Sequence, residues 1–162
     1  MSEDYYDIAQ ICLNGHVINS SSSRSPEFNE KFCSSCGKET ITSCGKCNKS
    51  IRGYYHMSEI IAVFDYSKPA YCPECGNPYP WTITKMSVAE EVADELSALS
   101  ADEKLMLKES FPDLINETPK TPLAEKRFKS LVKKAGTEAY NIFKVVLSDI
   151  LSESVRKSIF GG

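Results

Sequence analysis

The chain has 162 residues, 41% of them hydrophobic, and a formal net charge of −3. That length allows one domain or two small ones. No apolar run approaches the ~18 residues needed to cross a membrane, and an acidic chain lacks the cationic surplus behind non-specific duplex binding.

The first ten residues, MSEDYYDIAQ, are acidic and do not read as a signal peptide. Residues 1–19 read as a short extended segment, with Tyr6, Ile8, Ile11, Val17 and Ile18 around Cys12 and His16. Residues 20–26 are a polar loop. Residues 32–41 carry Cys33 and Cys36 and lead to Cys44 and Cys47. Residues 51–55 read as a strand leaving that pair. Residues 57–70 form a longer excursion that holds Ile60, Ile61, Val63 and Phe64 and ends at Pro69, after which Tyr71 opens the Cys72/Cys75 pair.

Helical patterning follows. Ser87-Val-Ala-Glu90 has the form of a capping box, in which a serine hydroxyl and a glutamate carboxylate satisfy each other's backbone donors, and Val88, Val92, Leu96 and Leu99 mark one face. Ser100-Ala-Asp-Glu103 is a second such box, opening a helix through Leu105, Met106 and Leu107 that Pro112 ends or kinks. Thr121-Pro122 places a cap before a proline at the first helical position, and this helix runs to Gly136. A last helix from Thr137 carries Ala139, Ile142, Phe143, Val146, Ile150 and Val155 at helical spacing. The expected fold is α+β: a two-zinc ribbon with rubredoxin-like knuckles and short hairpins over 1–86, then about four helices over 87–162.

The chemistry lies in four ligand pairs, Cys12/His16, Cys33/Cys36, Cys44/Cys47 and Cys72/Cys75, which use all seven cysteines. In C-x-x-C a tight turn aims two thiolates at one ion, and four such ligands close the tetrahedral shell of a structural zinc. Eight ligands therefore imply two Zn2+ per chain. Sequential sharing gives Cys12, His16, Cys33, Cys36 and Cys44, Cys47, Cys72, Cys75, a tandem ribbon. Interleaved sharing gives the cross-brace of RING-like modules. Glycine directly after Cys36 and Cys75, where a left-handed backbone is easiest, and strand-like residues flanking the third pair favour the ribbon. His56 has no partner at ligand spacing and reads as an ordinary histidine. Ligand thiolates outnumber the charges that two zinc ions return, so the loaded chain is more acidic still. No H-E-x-x-H or H-x-E pattern is present, and four protein ligands leave no open position for water, so no catalytic residue is assigned. A redox thiol pair is the enzymatic alternative, but four pairs exceed its needs.

The segments ICLNGHVIN, FCSSCG, TSCGKC, IRGYY and YCPECGNPYPWT, with TPKTPLAEKRFK in the second half, resemble in order a family of uncharacterised bacterial proteins catalogued as a domain of unknown function. The resemblance implies a bacterial, cytoplasmic protein with zinc-ribbon character and implies no activity.

Three surfaces could carry a role. Arg52, Tyr54, Tyr79 and Trp81 crowd the second ligand set and suit a partner-docking rim; the plainer reading makes these rings the cover of a small metal-built core. Residues 88–117 hold nine acids and two lysines, and residues 120–134 six bases and one acid. Lys126, Lys129 and Lys133 share a helix face, which could meet nucleic acid or simply be a solvated face that answers the acidic helix. The terminal Gly161-Gly162 matches the tail of ubiquitin-like modifiers, although glycine also commonly ends a helix. The expected function is a non-enzymatic zinc-binding adaptor that contacts another protein or itself. Nucleic-acid binding comes second, and a diglycine-tailed modifier or RING-like ligase component third.

Overall fold

Gln10–Cys12 is buried along its whole length because it is the middle strand of three. In the computed structural model, which describes residues 3–61 and 63–161, this strand (β2) pairs antiparallel with Val17–Asn19 (β3) on one side and Thr40–Ile41 (β4) on the other. Ahead of it, Tyr5–Ile8 (β1) pairs antiparallel with Arg52–His56 (β5). The Ala9 N–H donates to Ile51 O and the Ile51 N–H to Thr42 O, tying the two small sheets together. Residues 57–70 form no strand or helix among those described.

Asp7 fixes the start of this arrangement. Its side chain is buried and accepts from the Ile8 and Ser23 N–H groups at 2.7 and 3.0 Å. Its other oxygen lies 3.1 Å from His56 Nε2, and Arg24 Nη1 lies 3.1 Å from His56 Nδ1. Arginine has no acceptor to offer, so Nδ1 accepts from Arg24 and Nε2 carries the proton donated to Asp7.

Five helices follow: Pro80–Asp94 (α1), Ala101–Asn116 (α2), Thr121–Ala135 (α3), Thr137–Leu147 (α4) and Glu153–Phe160 (α5). The chain is thus α+β, with the strands and cysteines first. It divides into two compact units, Met1–Ile83 and Thr84–Gly162. In the second unit α3 packs against α2, α4 and α5. Phe111, Phe128 and Phe143 form its centre, with ring centroids 5.6–6.5 Å apart, and each is buried with Leu107, Leu114 and Leu147.

Several sequence expectations need correction here. The first helix does not start at Ser87. It starts at Pro80, whose fixed φ suits the first helical position, and Ser87 lies mid-helix and exposed. Its buried face is Ala89 and Ala93, while Val88 is exposed. The Ser100 capping box forms in both directions. Pro112 does not end α2, because Phe111, Leu114 and Ile115 on either side of it are buried. Thr121 does not cap α3. Lys120 holds the cap position without a side-chain bond, and the Thr121 hydroxyl donates instead to Asp113 O at 2.6 Å. The last helix is two helices: Ser152 accepts from the Val155 N–H and starts α5 afresh. Lys134 pairs with Glu103 at 2.6 Å and Lys108 with Asp94 at 2.7 Å, so part of the acidic stretch is answered within the second unit.

Gly53 is where two backbones of the first unit touch. A Cβ there would lie 2.3 Å from Ser20 O and 2.8 Å from Ile8 C, both main-chain atoms that cannot rotate away. Gly53→Ala is expected to destabilise the first unit by about 3 kcal/mol while leaving the helical unit's melting unchanged. Domain-resolved hydrogen exchange measures both, and an unaltered first unit would contradict the close packing.

Candidate metal centres

Three of the four ligand pairs are built the same way. In each C-x-x-C turn the first cysteine's N–H donates across the turn, Cys33 to Lys38 O, Cys44 to Lys49 O and Cys72 to Asn77 O. The residue after the second cysteine turns back to the first, Gly37 to Cys33 O, Asn48 to Cys44 O and Gly76 to Cys72 O. That residue sits at positive φ in all three, 75°, 62° and 74°. Glycine takes this conformation freely, and asparagine is among the side chains that best tolerate it. One bridge closes each turn, Phe32 with Glu39, Ser43 with Ser50 and Tyr71 with Pro78.

The fourth pair differs. Cys12 ends β2, and the Cys12 N–H donates to His16 O across the β2–β3 connection. Gly15, at φ 93°, makes that turn against Trp81, whose Cβ would be 2.8 Å from any Cβ on Gly15. β4 pairs with β2 and brings the Cys33/Cys36 turn to the Cys12/His16 turn.

The pairs are shared sequentially. Cys12, His16, Cys33 and Cys36 form one cluster and Cys44, Cys47, Cys72 and Cys75 the other, with the donor atoms of each within 4.8 Å of one another. Each cluster could hold a metal ion. In the first, His16 Nδ1 lies 3.4 Å from Cys12 Sγ and 3.5 Å from Cys33 Sγ, and Cys12 Sγ lies 3.7 Å from Cys36 Sγ. In the second, Cys44–Cys75 and Cys47–Cys72 Sγ distances are both 3.7 Å. A disulfide needs ~2.05 Å, and all seven cysteines are free. Cys12, Cys33, Cys44 and Cys72 are buried, whereas Cys36 and Cys75 face solvent.

Electrostatics within each cluster are uneven. Hydrogen bonding from the Lys38 backbone holds Cys36 down to about 6. Burial pushes Cys72 up, but the backbone N–H groups of Cys75 and Glu74 outweigh it and bring it to about 6. The Asn77 amide lowers Cys75, its Nδ2 lying 3.3 Å from the sulfur. Burial raises Cys12 despite the N–H groups of His16 and Asn14. Three thiolates side by side in the first cluster, or four in the second, would repel one another, and a bound cation would remove that penalty.

Tyr79 supplies an independent mark. Its hydroxyl is buried with no hydrogen-bond partner among the described residues. Burial raises its pKa, and the nearby Cys72, Cys44 and Cys47 sulfurs raise it further. A thiolate at Cys72, which a metal would enforce, gives this hydroxyl its acceptor.

These two clusters bring together the eight residues that the sequence proposes as ligands. The chain belongs to a bacterial family. Its matching family model is described as "Uncharacterized protein conserved in bacteria (DUF2321)" and spans residues 5–159. No curated protein and no solved structure matches the chain. No helix among the described residues is long and apolar enough to cross a membrane.

The other proposed site residues fare differently. Tyr79 and Trp81 are 1% and 0% exposed and stack at 4.7 Å. The Trp81 indole N–H donates to Pro69 O at 3.0 Å. They are core rings and cannot form a docking rim. Tyr54 is half-buried and accepts the Phe64 N–H. Arg52 is exposed and lies 4.7 Å over the Tyr6 ring. Lys126, Lys129 and Lys133 are all exposed. Gly161 caps α5, donating to Lys157 O at φ 75°, and Gly162 lies outside the described residues. Sequence reasoning missed Asn48, Asn77 and the roles of Tyr79 and Asp7. Only Asn48, directly after a C-x-x-C pair as Gly37 and Gly76 are, carried a readable signal.

Two substitutions separate ligand from support. Cys72→Ser should lose one metal ion and unfold the first unit, since such a site contributes ~10 kcal/mol or more to folding in small domains. Tyr79→Phe should keep both ions and the fold but weaken the Cys44/Cys47/Cys72/Cys75 site about ten-fold in chelator competition. An unchanged affinity would mean that the Tyr79 hydroxyl does not support Cys72.

Proposed function

We propose that this chain is a non-enzymatic adaptor of the bacterial cytoplasm, in which two zinc ribbons hold a surface that docks on another protein. The donor geometry carries the zinc reading. A tetrahedron with ~2.3 Å metal–sulfur bonds has sulfur–sulfur edges of ~3.8 Å, and a nitrogen at ~2.0 Å shortens its edges to ~3.5 Å. The clusters have edges of 3.7 Å between sulfurs and 3.4–3.5 Å to His16 Nδ1. Thiolate and imidazole donors without a carboxylate suit zinc. All four positions of each tetrahedron are taken by protein, which suits a structural ion and leaves none for substrate.

The docking surface suggested by exposure lies on the β1–β5 sheet and the chain after it. Tyr5, Tyr6 and Tyr55 are 45%, 52% and 38% exposed, and Ile60 and Phe64 56% and 51%. Tyr6 and Tyr55 pack at 4.7 Å with Arg52 over Tyr6. Aromatic rings beside an arginine, on strands pinned by Asp7 and His56, make anchors that lose little entropy on binding.

A second reading rests on the exposed Lys126, Lys129 and Lys133, which present one cationic face of α3. Nucleic acid bound there would show a strong salt dependence that charge reversal at the three flattens. The chain's overall acidity argues against it.

Native mass spectrometry of chain purified without chelator is expected to find two zinc ions. One ion, iron, or intramolecular disulfides would overturn the two-zinc scaffold. Tyr6→Ser combined with Phe64→Ser should abolish recovery of a partner from the native cell lysate without moving the melting temperature. Full recovery by a stably folded double variant would remove this surface.

A further inference from the structure

The second unit has a pocket that the adaptor reading does not use. A cavity of about 350 Å³ opens between the end of α3, the start of α4 and α5. Its floor is apolar: Phe128, Val132 and Ile159 line it. Tyr140 stands at one side, with its hydroxyl already donated to Phe160 O at 2.7 Å. Two cations, Lys129 and Lys133, stand along its α3 wall.

The two lysines are not equivalent. Lys129 Nζ donates to Ser158 Oγ at 3.2 Å, and Ser158 Oγ donates to Glu125 Oε2 at 2.8 Å, so Lys129 is held against α5 and part of its charge is answered. Lys133 makes no hydrogen bond or ion pair among the described residues. A lysine in the last turn of a helix also meets the negative end of the helix dipole. That accounts for a cation at the position, but not for the apolar hollow beside it. Lys134, in the same turn, spends its charge on Glu103. An apolar pocket with a few convergent polar groups is the usual form of a small-molecule site, and this volume lies at the small end of the ~300–1,000 Å³ range for such sites.

We propose that this pocket binds a small carboxylate with an apolar body, of the medium-chain acyl or aryl acid class. The apolar body lies on Phe128, Val132 and Ile159, and the carboxylate meets Lys133 with Lys129 beside it. Such a ligand buries apolar surface that the fold leaves open and answers the cation that the fold leaves unpaired. Neither a plain inorganic anion nor a neutral apolar molecule does both. This site is independent of the metal centres and of the β1–β5 surface, and it differs from the nucleic-acid reading in not needing Lys126, which does not line the cavity.

The test is an amide NMR titration of the metal-loaded full chain with octanoate, octanol and acetate as probes. Octanoate is expected to shift the amides of Lys133, Gly136, Thr137 and Ile159 in a saturable way. Octanol should bind about three- to five-fold more weakly, the span an exposed ion pair allows, and acetate should not saturate. Lys133→Gln, at an exposed position, should reduce octanoate affinity by the same factor and leave octanol unchanged, whereas Lys126→Gln should change nothing. No saturable octanoate shift at these amides would overturn the site. Equal binding of octanol and octanoate would overturn the carboxylate assignment, and equal loss in Lys126→Gln and Lys133→Gln would reduce it to general attraction by the basic face.

Discussion

The gathering of four Cys/His pairs into two four-donor clusters, each of which could hold a metal ion, is the constraint on which the first unit is built. Among its described residues the only large aliphatics fully buried are Ile11 and Ile51, and the other buried hydrophobics are four cysteines, Ala9 and the Tyr79–Trp81 stack. So thin an apolar core cannot meet the conformational entropy of ordering its chain. On the two-zinc reading proposed above, metal cross-links supply the difference. Each cluster joins segments far apart in sequence, Cys12 to Cys36 in one and Cys44 to Cys75 in the other, so an ion bound there would remove much of the freedom of the unfolded chain as well as supply binding energy.

Everything nearby follows from where those sites fall. The pairing of β2 with β4 sets the Cys33/Cys36 turn beside the Cys12/His16 turn and so forms the first cluster. The Tyr79–Trp81 stack fills the space that the turns leave, with Trp81 bonded to Pro69 and Gly15 seated against its Cβ. With those rings used internally, the exposed aromatics of β1 and β5 are what remains for contact, and Asp7, His56 and Arg24 hold them in register. The second unit has no such need. Its phenylalanine cluster and leucines give it an ordinary helical core, with Lys126, Lys129 and Lys133 exposed on α3.

Much of this was legible in the sequence. C-x-x-C is a local motif whose turn, backbone bonds and positive-φ residue are set within six residues, so the candidate donors could be read directly, whereas the sharing of the pairs was open between sequential and interleaved, with the sequential order favoured. The Ser100 box is equally local and formed as written. The failures came where local signals competed. Ser87 and Glu90 match a cap, but a helix already propagating from Pro80 leaves no free N–H groups there to cap. Thr121 precedes a proline, yet its hydroxyl serves Asp113 in the preceding helix. Ser148 and Ser152 lie in a stretch whose apolar spacing suggests continuity, and hydroxyls there offer the backbone other partners. Tyr79 and Trp81 looked like a rim because aromatic type does not say which face is covered. Asp7 and His56 are 49 positions apart, a distance at which sequence pattern carries no pairing information.

Zinc-edge X-ray absorption of the loaded chain tests the central claim most directly, because it counts donor atoms rather than ions. The account predicts seven sulfurs and one imidazole nitrogen over two ions, sulfur at ~2.3 Å, and no oxygen. An oxygen donor, or fewer than seven sulfurs, would mean that at least one site is open or incomplete, and would contradict a fold held by two closed tetrahedra.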